Sequence, residues 1–496
     1  MSDEENCEWE RNYSEENSES QYESVLDEED HGSFEETSSG DGNLSNPRQD
    51  EEPPEREFLQ EFGYRKLCDV TYPPLEDVDI AHTIRRQTEF FPRKPQLPDY
   101  IPFTTSPQKP PVHALAWRES GVLCGKFSDC QRSHLGSQLL PENPKRLIDQ
   151  RQSRAYIGQF SRDGSLFVAA FQDKRICIYD AENGFCLRKH VTARNLRWTV
   201  TDTCLSPDQN LLIYATINSS IHVVNVGCRA DGIYSVANVT DIHEEMRLGE
   251  EHEFGVWSAR WSPDGKELVA GTTDSSLVVY DVGAAKTFAT VYGHEDDINA
   301  VAYLDDSPNL IVTGSDDSNC KVWDRRNLRR SAGALLGHTE GVTFISGKGD
   351  GRHFISNAKD QTIKLWDLRK MSPANQHNME RQPINLPLFH WDYRWMDYPG
   401  KGFDIRHPFD TSLFTYRGHS VLQTLVRCYF SPGYTGQKYI YTGSANGTII
   451  CFSIATGEQV FQLQGPEDVV RDCSWNPNYP QLVGVSWDGT IREWSH

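Results

Sequence analysis

Lys359-Asp360-Gln361-Thr362-Ile363-Lys364-Leu365-Trp366-Asp367 is the stretch whose reading decides the fold. An aspartate opens it, apolar and polar residues then alternate, and a tryptophan stands six places after the aspartate. Alternation with a period of two marks a short strand entered through a tight turn. The same grammar occurs 43 residues upstream, as Asp316-Asp317-Ser318-Asn319-Cys320-Lys321-Val322-Trp323-Asp324. Working outward, the same spacing joins Asp173 to Tyr179, Asn218 to Val224, Asp274 to Tyr280, Asn446 to Phe452 and Asp488 to Trp494. Strand-like runs and turn sequences such as Ser262-Pro263-Asp264-Gly265 precede these pairs. Seven units in phase are an internal repeat, which sets the architecture before any single residue is weighed.

Each unit has the length of a small antiparallel sheet, which cannot bury both of its faces alone. Sheets stacked around an axis cover one another, and closing the ring leaves only short edges. The sequence therefore predicts an all-β, seven-bladed β-propeller. The blades are expected near 154–180, 198–225, 252–281, 293–324, 337–367, 418–453 and 465–495. Successive aromatic positions differ by 45, 56, 43, 43, 86 and 42 residues. The value 86 is twice 43, but residues 371–416 show no strand pair and are rich in proline, so they read as an insertion. The last repeat ends at Trp494, two residues from the end of the chain. Its fourth strand must then come from the N-terminal side, with His134–Leu140 as first candidate and Val112–Trp117 as alternative.

The formal net charge is −23, and residues 1–57 hold 21 acidic against 3 basic side chains. With few aliphatic residues, this stretch cannot offset its ordering entropy and is expected to be a disordered acidic tail. Residues 58–129 read as a linker or strap with one short helix, and the propeller is expected over 130–496. The acidity speaks against direct nucleic-acid binding. No run of 18 apolar residues crosses a membrane and no basic, apolar leader opens the chain, so a nuclear or cytoplasmic protein is expected. The twelve cysteines form no Cys-x-x-Cys pair, and neither metal nor cofactor is expected.

Ser, His and Asp recur together, as a hydrolase triad would require. They recur in several blades at once, which suits packing hardware better than an active site, so no enzyme is predicted. A stronger signal is Trp-Asp-x-Arg. It occurs as Trp323, Asp324 and Arg326, and again as Trp366, Asp367 and Arg369. The 43-residue offset should place both arginines in equivalent turns of adjacent blades, able to grip a partner's carboxylates or carbonyls. Arg325 falls at the variable position and should be neutral for that partner contact. Trp391-Asp392-Tyr393-Arg394 fits the letters but lacks a preceding strand and the upstream aspartate, and reads as a decoy. If the insertion is extended, Phe389, Trp391, Tyr393 and Trp395 would share one face, as a packed strap or as a partner-binding element.

These repeats resemble WD40 repeats, with Gly293-His294, Gly337-His338 and Gly418-His419 as further marks. That resemblance implies a hydrogen-bonded tetrad of His338, Ser356, Asp360 and Trp366, and incomplete tetrads in blades 1, 2 and 6, which replace the tryptophan. Ser153-Arg154-Ala155-Tyr156, Leu196-Arg197-Trp198-Thr199-Val200, Gly341-Val342-Thr343-Phe344-Ile345 and Ser412-Leu413-Phe414-Thr415-Tyr416-Arg417-Gly418-His419 narrow the likeness. They are similar to the DDB–cullin-4-associated-factor class, in its WD repeat protein 23-like and plant LEC14-type subfamily. The resemblance implies a substrate receptor that docks damage-specific DNA-binding protein 1, the adaptor of a cullin-4 ubiquitin ligase, and presents an unnamed protein substrate. The alternative is a WD40 scaffold in an unrelated intracellular complex.

Overall fold

A computed structural model describes Lys66, Ile80 and residues 139–226, 242–249, 253–373, 391–400 and 402–496. The expected acidic tail, the alternative closing segment Val112–Trp117 and most of 58–129 lie outside the described residues.

Seven antiparallel sheets follow one another along the chain. Their innermost strands are Ala155–Phe160, Val200–Leu205, Val256–Trp261, Ile298–Tyr303, Val342–Gly347, Cys428–Phe430 and Val470–Trp475. Each is followed outward by further strands of its blade, so the architecture is the seven-bladed propeller that the repeat requires. One end of every blade carries the turn between its second and third strands and the connection from the preceding blade. We call this the upper face, and the opposite end the lower face.

Adjacent blades interlock through a repeated device. Six of the seven innermost strands carry a register shift near the upper end, which sets Tyr156, Thr201, Trp257, Asn299, Thr343 and Arg471 outside the ladder. A bulge of this kind re-aims a side chain and frees backbone groups. The freed side chains bond the next blade: Thr201 Oγ1 donates to Val256 O, Asn299 Nδ2 to Val342 O, Thr343 Oγ1 to Val426 O and Arg471 Nη1 to Tyr156 O. The residue after the bulge accepts in turn. Asp472 accepts from Gly158 N, Asp202 from Ala259 N and Ser258 from Val301 N. Glycine is needed where blades come closest. A Cβ at Gly271 would stand 2.6 Å from Ile298 Cγ2, and one at Gly314 would stand 2.5 Å from Val342 Cγ1.

The ring closes with a borrowed strand, but not from either expected segment. Asn143–Gln150 pairs antiparallel with Thr490–Ser495 as the outer strand of blade 7. This segment carries Lys145 and Arg146, and both bind the buried Glu493, at 2.7 and 2.6 Å. Charge pairing, not an apolar run, marks this edge strand, so its pairing is not legible from hydropathy. Leu140 does pack into the core, beside Tyr439, Phe461 and Trp494.

The bounds of the insertion also shift. Ser372–Pro373 adds an edge strand to blade 4, and Phe414–Arg417 is the outer strand of blade 5. The insertion thus separates the third and fourth strands of one blade instead of two whole blades. Lys66 bridges Phe403, and Ile80 is buried with Phe344, Ile440 and Phe452.

Candidate protein-binding interface

In blades 4 and 5, hydrogen-bonded tetrads fix where the third strand ends. In blade 5, Trp366 Nε1 donates to Ser356 Oγ at 2.7 Å, His338 Nε2 meets the same oxygen at 2.6 Å, and His338 Nδ1 meets Asp360 at 2.9 Å. Burial alone would raise the Asp360 pKa, but the charge and hydrogen bond of His338 hold it far below the carboxylate range. Blade 4 repeats the arrangement with Trp323, Thr313, His294 and Asp317. There burial is again outweighed by His294, and the Asp317 pKa is held at about 2. Blade 6 differs. His419 turns away from Asn446 and binds Asn357 of blade 5 at 2.8 Å, with its Nδ1 left without a partner among the described residues.

With both tryptophans buried, Asp324 and Asp367 emerge at the same register on the lower face, each followed by its arginine. Arg326 donates its backbone N–H to Asp324 Oδ1 at 3.0 Å, its Nε to the same oxygen at 2.9 Å and its Nη2 to Oδ2 at 2.8 Å. Arg369 makes the same backbone contact with Asp367 and the same Nη2 pair at 2.9 Å. Asp367 is further held by Arg352. The arginine side chains stay 73% and 60% exposed. Each aspartate grips one edge of the guanidinium fork, which orients the fork without burying it.

Arg325 is not idle in the fold: it pairs with Glu267 of blade 3 at 2.7 Å and lies 3.9 Å over the Phe288 ring, with its side chain only 18% exposed. It joins two blades, a role that no sequence spacing displays. The insertion, against expectation, is not extended across Trp391, Tyr393 and Trp395. It turns there, with Met396 N bonded to Asp392 O. Trp391 packs edge-on against Tyr398, and Lys359 sits 4.2 Å over the Tyr393 ring, which leaves Trp395 outermost at 72% exposure. Phe389 lies outside the described residues. Asp392 and Arg394 form the same local pair as the other two motifs, with Nη2 at 2.6 Å. The contact with Lys359, in an upper-face turn of blade 5, puts this third copy on the opposite face.

Sequence reasoning missed a polar hub on the axis. Arg427 reaches across the ring from blade 6 to Asp202 of blade 2 at 2.9 Å, and touches Asp472 of blade 7 at 3.4 Å. Asp202 also binds Arg260 of blade 3. Burial opposes ionisation at both aspartates. At Asp202 the two arginines outweigh it and hold the pKa at about 2, whereas Asp472, with one longer contact, is shifted upward. The legible signal was an aspartate at the third place of both Val200–Leu205 and Val470–Trp475.

A ring of seven blades, with complete His–Asp–Ser/Thr–Trp tetrads in blades 4 and 5, defines a WD40-repeat β-propeller. The WD domain, G-beta repeat, matches residues 245–281, 285–324, 329–367 and 457–495. The chain is 49% identical over 377 residues to the LEC14B homolog of Prunus armeniaca, covering 75% of this chain and 78% of that protein. It is likewise 49% identical over 391 residues to the LEC14B protein of Lithospermum erythrorhizon, covering 77% and 81%. The DDB1- and CUL4-associated factor 11 homolog of Caenorhabditis briggsae is 34% identical over 392 residues, 74% of this chain and 68% of that one. The chain belongs to this LEC14B and DDB1- and CUL4-associated factor 11 family of WD40 proteins.

Proposed function

We propose that this protein is a substrate receptor of a cullin-4 ubiquitin ligase. It docks the adaptor, damage-specific DNA-binding protein 1, with the lower face of blades 4 and 5. The names of its relatives support the partner class. The paired Asp324–Arg326 and Asp367–Arg369 forks carry the reading: two exposed guanidiniums, pre-oriented at one register of adjacent blades, suit bidentate contacts to one partner. Trp323 and Trp366 act from beneath by fixing those turns. Ubiquitin transfer is left to other subunits, because the Ser, His and Asp groups of the tetrads are engaged with one another and buried. The upper face is left for the substrate, with Trp395 as the exposed part of the insertion.

The test is co-purification of the adaptor with Arg326→Ala, Arg369→Ala and the double variant. Losing one charge-assisted contact costs roughly 1.5–3 kcal/mol, or about a 10- to 150-fold weaker complex. The double variant should lose the adaptor while its melting temperature stays near wild type. Arg394→Ala is the control, since it carries the same local motif on the other face. Wild-type binding by the folded double variant would refute the docking site. Failure of the wild-type chain to bind the adaptor at all would favour a scaffold in another complex.

A further inference from the structure

Two motifs that mark the subfamily, Ser153-Arg154-Ala155-Tyr156 and Leu196-Arg197-Trp198-Thr199-Val200, take no part in adaptor docking. The fold brings them together with Trp487 of blade 7 at the upper mouth of the channel. Trp198 stands edge-on to Tyr156 with centroids 5.7 Å apart, and Trp487 lies 5.5 Å from the same ring. Arg154 stacks 4.5 Å over Trp487, and Arg471 lies 5.4 Å from Tyr156. Three aromatic rings and two guanidiniums from blades 7, 1 and 2 thus form one wall.

Arg471 is the anomaly in that wall. It is 5% exposed and makes no ion pair among the described residues. Nη1 has the Tyr156 carbonyl at 2.7 Å, and Nε is buried with no acceptor among the described residues. Its place at the bulge explains the Nη1 bond, but the equivalent bond is made by Thr201, Asn299 and Thr343 in other blades, without a charge. The charge is therefore surplus to packing. The hub beneath does not neutralise it: Arg260 and Arg427 already match Asp202 and Asp472, so among the described residues the third arginine leaves one buried positive charge in excess. Burial and the neighbouring Arg427 push its pKa down to about 10, so it stays charged at neutral pH. An unpaired buried charge is costly. Trp487 Nε1 and Thr199 Oγ1, from the same rim, are also buried without partners among the described residues.

We propose that the upper mouth of the channel between blades 7, 1 and 2 binds a carboxylate of a partner protein, from an acidic side chain or a chain end. Arg471 and Arg154 would hold the carboxylate, and Tyr156, Trp198 and Trp487 would pack the neighbouring apolar residues of the peptide. A single negative charge balances the hub, whereas a dianion would overshoot it. The ligand is called a substrate only if the ligase reading holds; the site itself does not depend on adaptor docking.

The experiment uses the full chain without adaptor and fluorescein-labelled octapeptides of Ala, Leu and Phe, read by anisotropy at fixed ionic strength. One peptide carries an internal Glu and an amidated end, a second replaces that Glu with Gln, and a third has Gln with a free carboxylate end. The first or third should bind at least about tenfold more tightly than the second, and which of them does so identifies the source. Arg154→Ala and Trp198→Ala, both at the exposed rim, should each weaken binding about tenfold or more without a change in melting temperature. Arg471→Met should abolish the preference for the carboxylate and raise the melting temperature, because it removes an uncompensated charge. Equal binding of all three peptides, or a lowered melting temperature for Arg471→Met, would overturn the proposal. So would tighter binding of a phosphoserine version of the peptide. A synthetic copy of residues 23–36 that binds more tightly than the test peptides would move the carboxylate to this chain's own acidic stretch and overturn the partner assignment.

Discussion

Replacing Asp360 with alanine tests the tetrad reading most directly. The carboxylate accepts from His338 Nδ1 at 2.9 Å, Thr339 N at 3.2 Å, Thr362 N at 3.1 Å and Thr362 Oγ1 at 2.7 Å. The threonine hydroxyl can rotate toward another acceptor, but the histidine and the two backbone groups cannot. Each stranded buried donor costs about 1–3 kcal/mol, and partial rehydration at the strand end trims the sum, so about 2–4 kcal/mol is expected. The matched comparison is Asp274→Ala in blade 3. Asp274 occupies the same place but has no histidine, and its two hydroxyl donors, Thr272 and Ser276, already bond each other at 2.8 Å. That variant should cost about 1 kcal/mol. Urea denaturation followed by tryptophan fluorescence reads both. The histidine also predicts a pH signature. The Asp360 pKa is depressed in the fold, so its contribution is full above the unfolded value near 4 and is lost as pH falls below it. The gap between wild type and Asp360→Ala should shrink on acidification from pH 5 to pH 3. Equal midpoint shifts for the two variants at pH 7 would refute the argument that the histidine network makes the difference.

Ring closure should fail when the borrowed strand is removed: a chain starting at Arg154 leaves the outer edge of Thr490–Ser495 unpaired and strips Glu493 of Lys145 and Arg146, so it should self-associate on size exclusion, while one starting at residue 139 stays monomeric. A monomeric, equally stable Arg154 start would disprove the closure. Burial pushes the His419 pKa down to about 4, so the unfolded chain takes up its proton first. Stability linked to His419 is therefore present above about pH 6.5 and lost as pH falls toward 4, by up to about 3 kcal/mol. His419→Asn should flatten the stability–pH curve in that window, and an unchanged slope would show that His419 protonates freely in the fold. Arg325→Ala should lower stability by roughly 1–3 kcal/mol through the lost Glu267 pair and Phe288 stack, in a thermal melt that Arg326→Ala leaves nearly unmoved.

What the sequence determined by itself is what repeats. The six-residue spacing, the Gly-His dipeptides and the recurring strand patterns specify local turns and burial, and local turns repeated seven times leave a closed ring as the way to cover every sheet face. The tetrad of His338, Ser356, Asp360 and Trp366 and the register of Arg326 and Arg369 follow from that phase, because equivalent positions in a repeat occupy equivalent places. What only the tertiary structure decided depends on pairs of residues far apart in sequence. Lys145 and Arg146 meet Glu493 across the closure, Arg325 meets Glu267 across two blades, and Arg427 meets Asp202 across the axis. The insertion shows the same division. Its letters predicted a shared aromatic face, but its path was set by packing against Lys359 and Tyr398, and the motif at Arg394 landed on the face opposite its two counterparts. Periodicity fixes a residue's place within its own unit. Charge balance around an axis is a sum over units, and the excess of one arginine at Arg471 emerges only once the ring has closed.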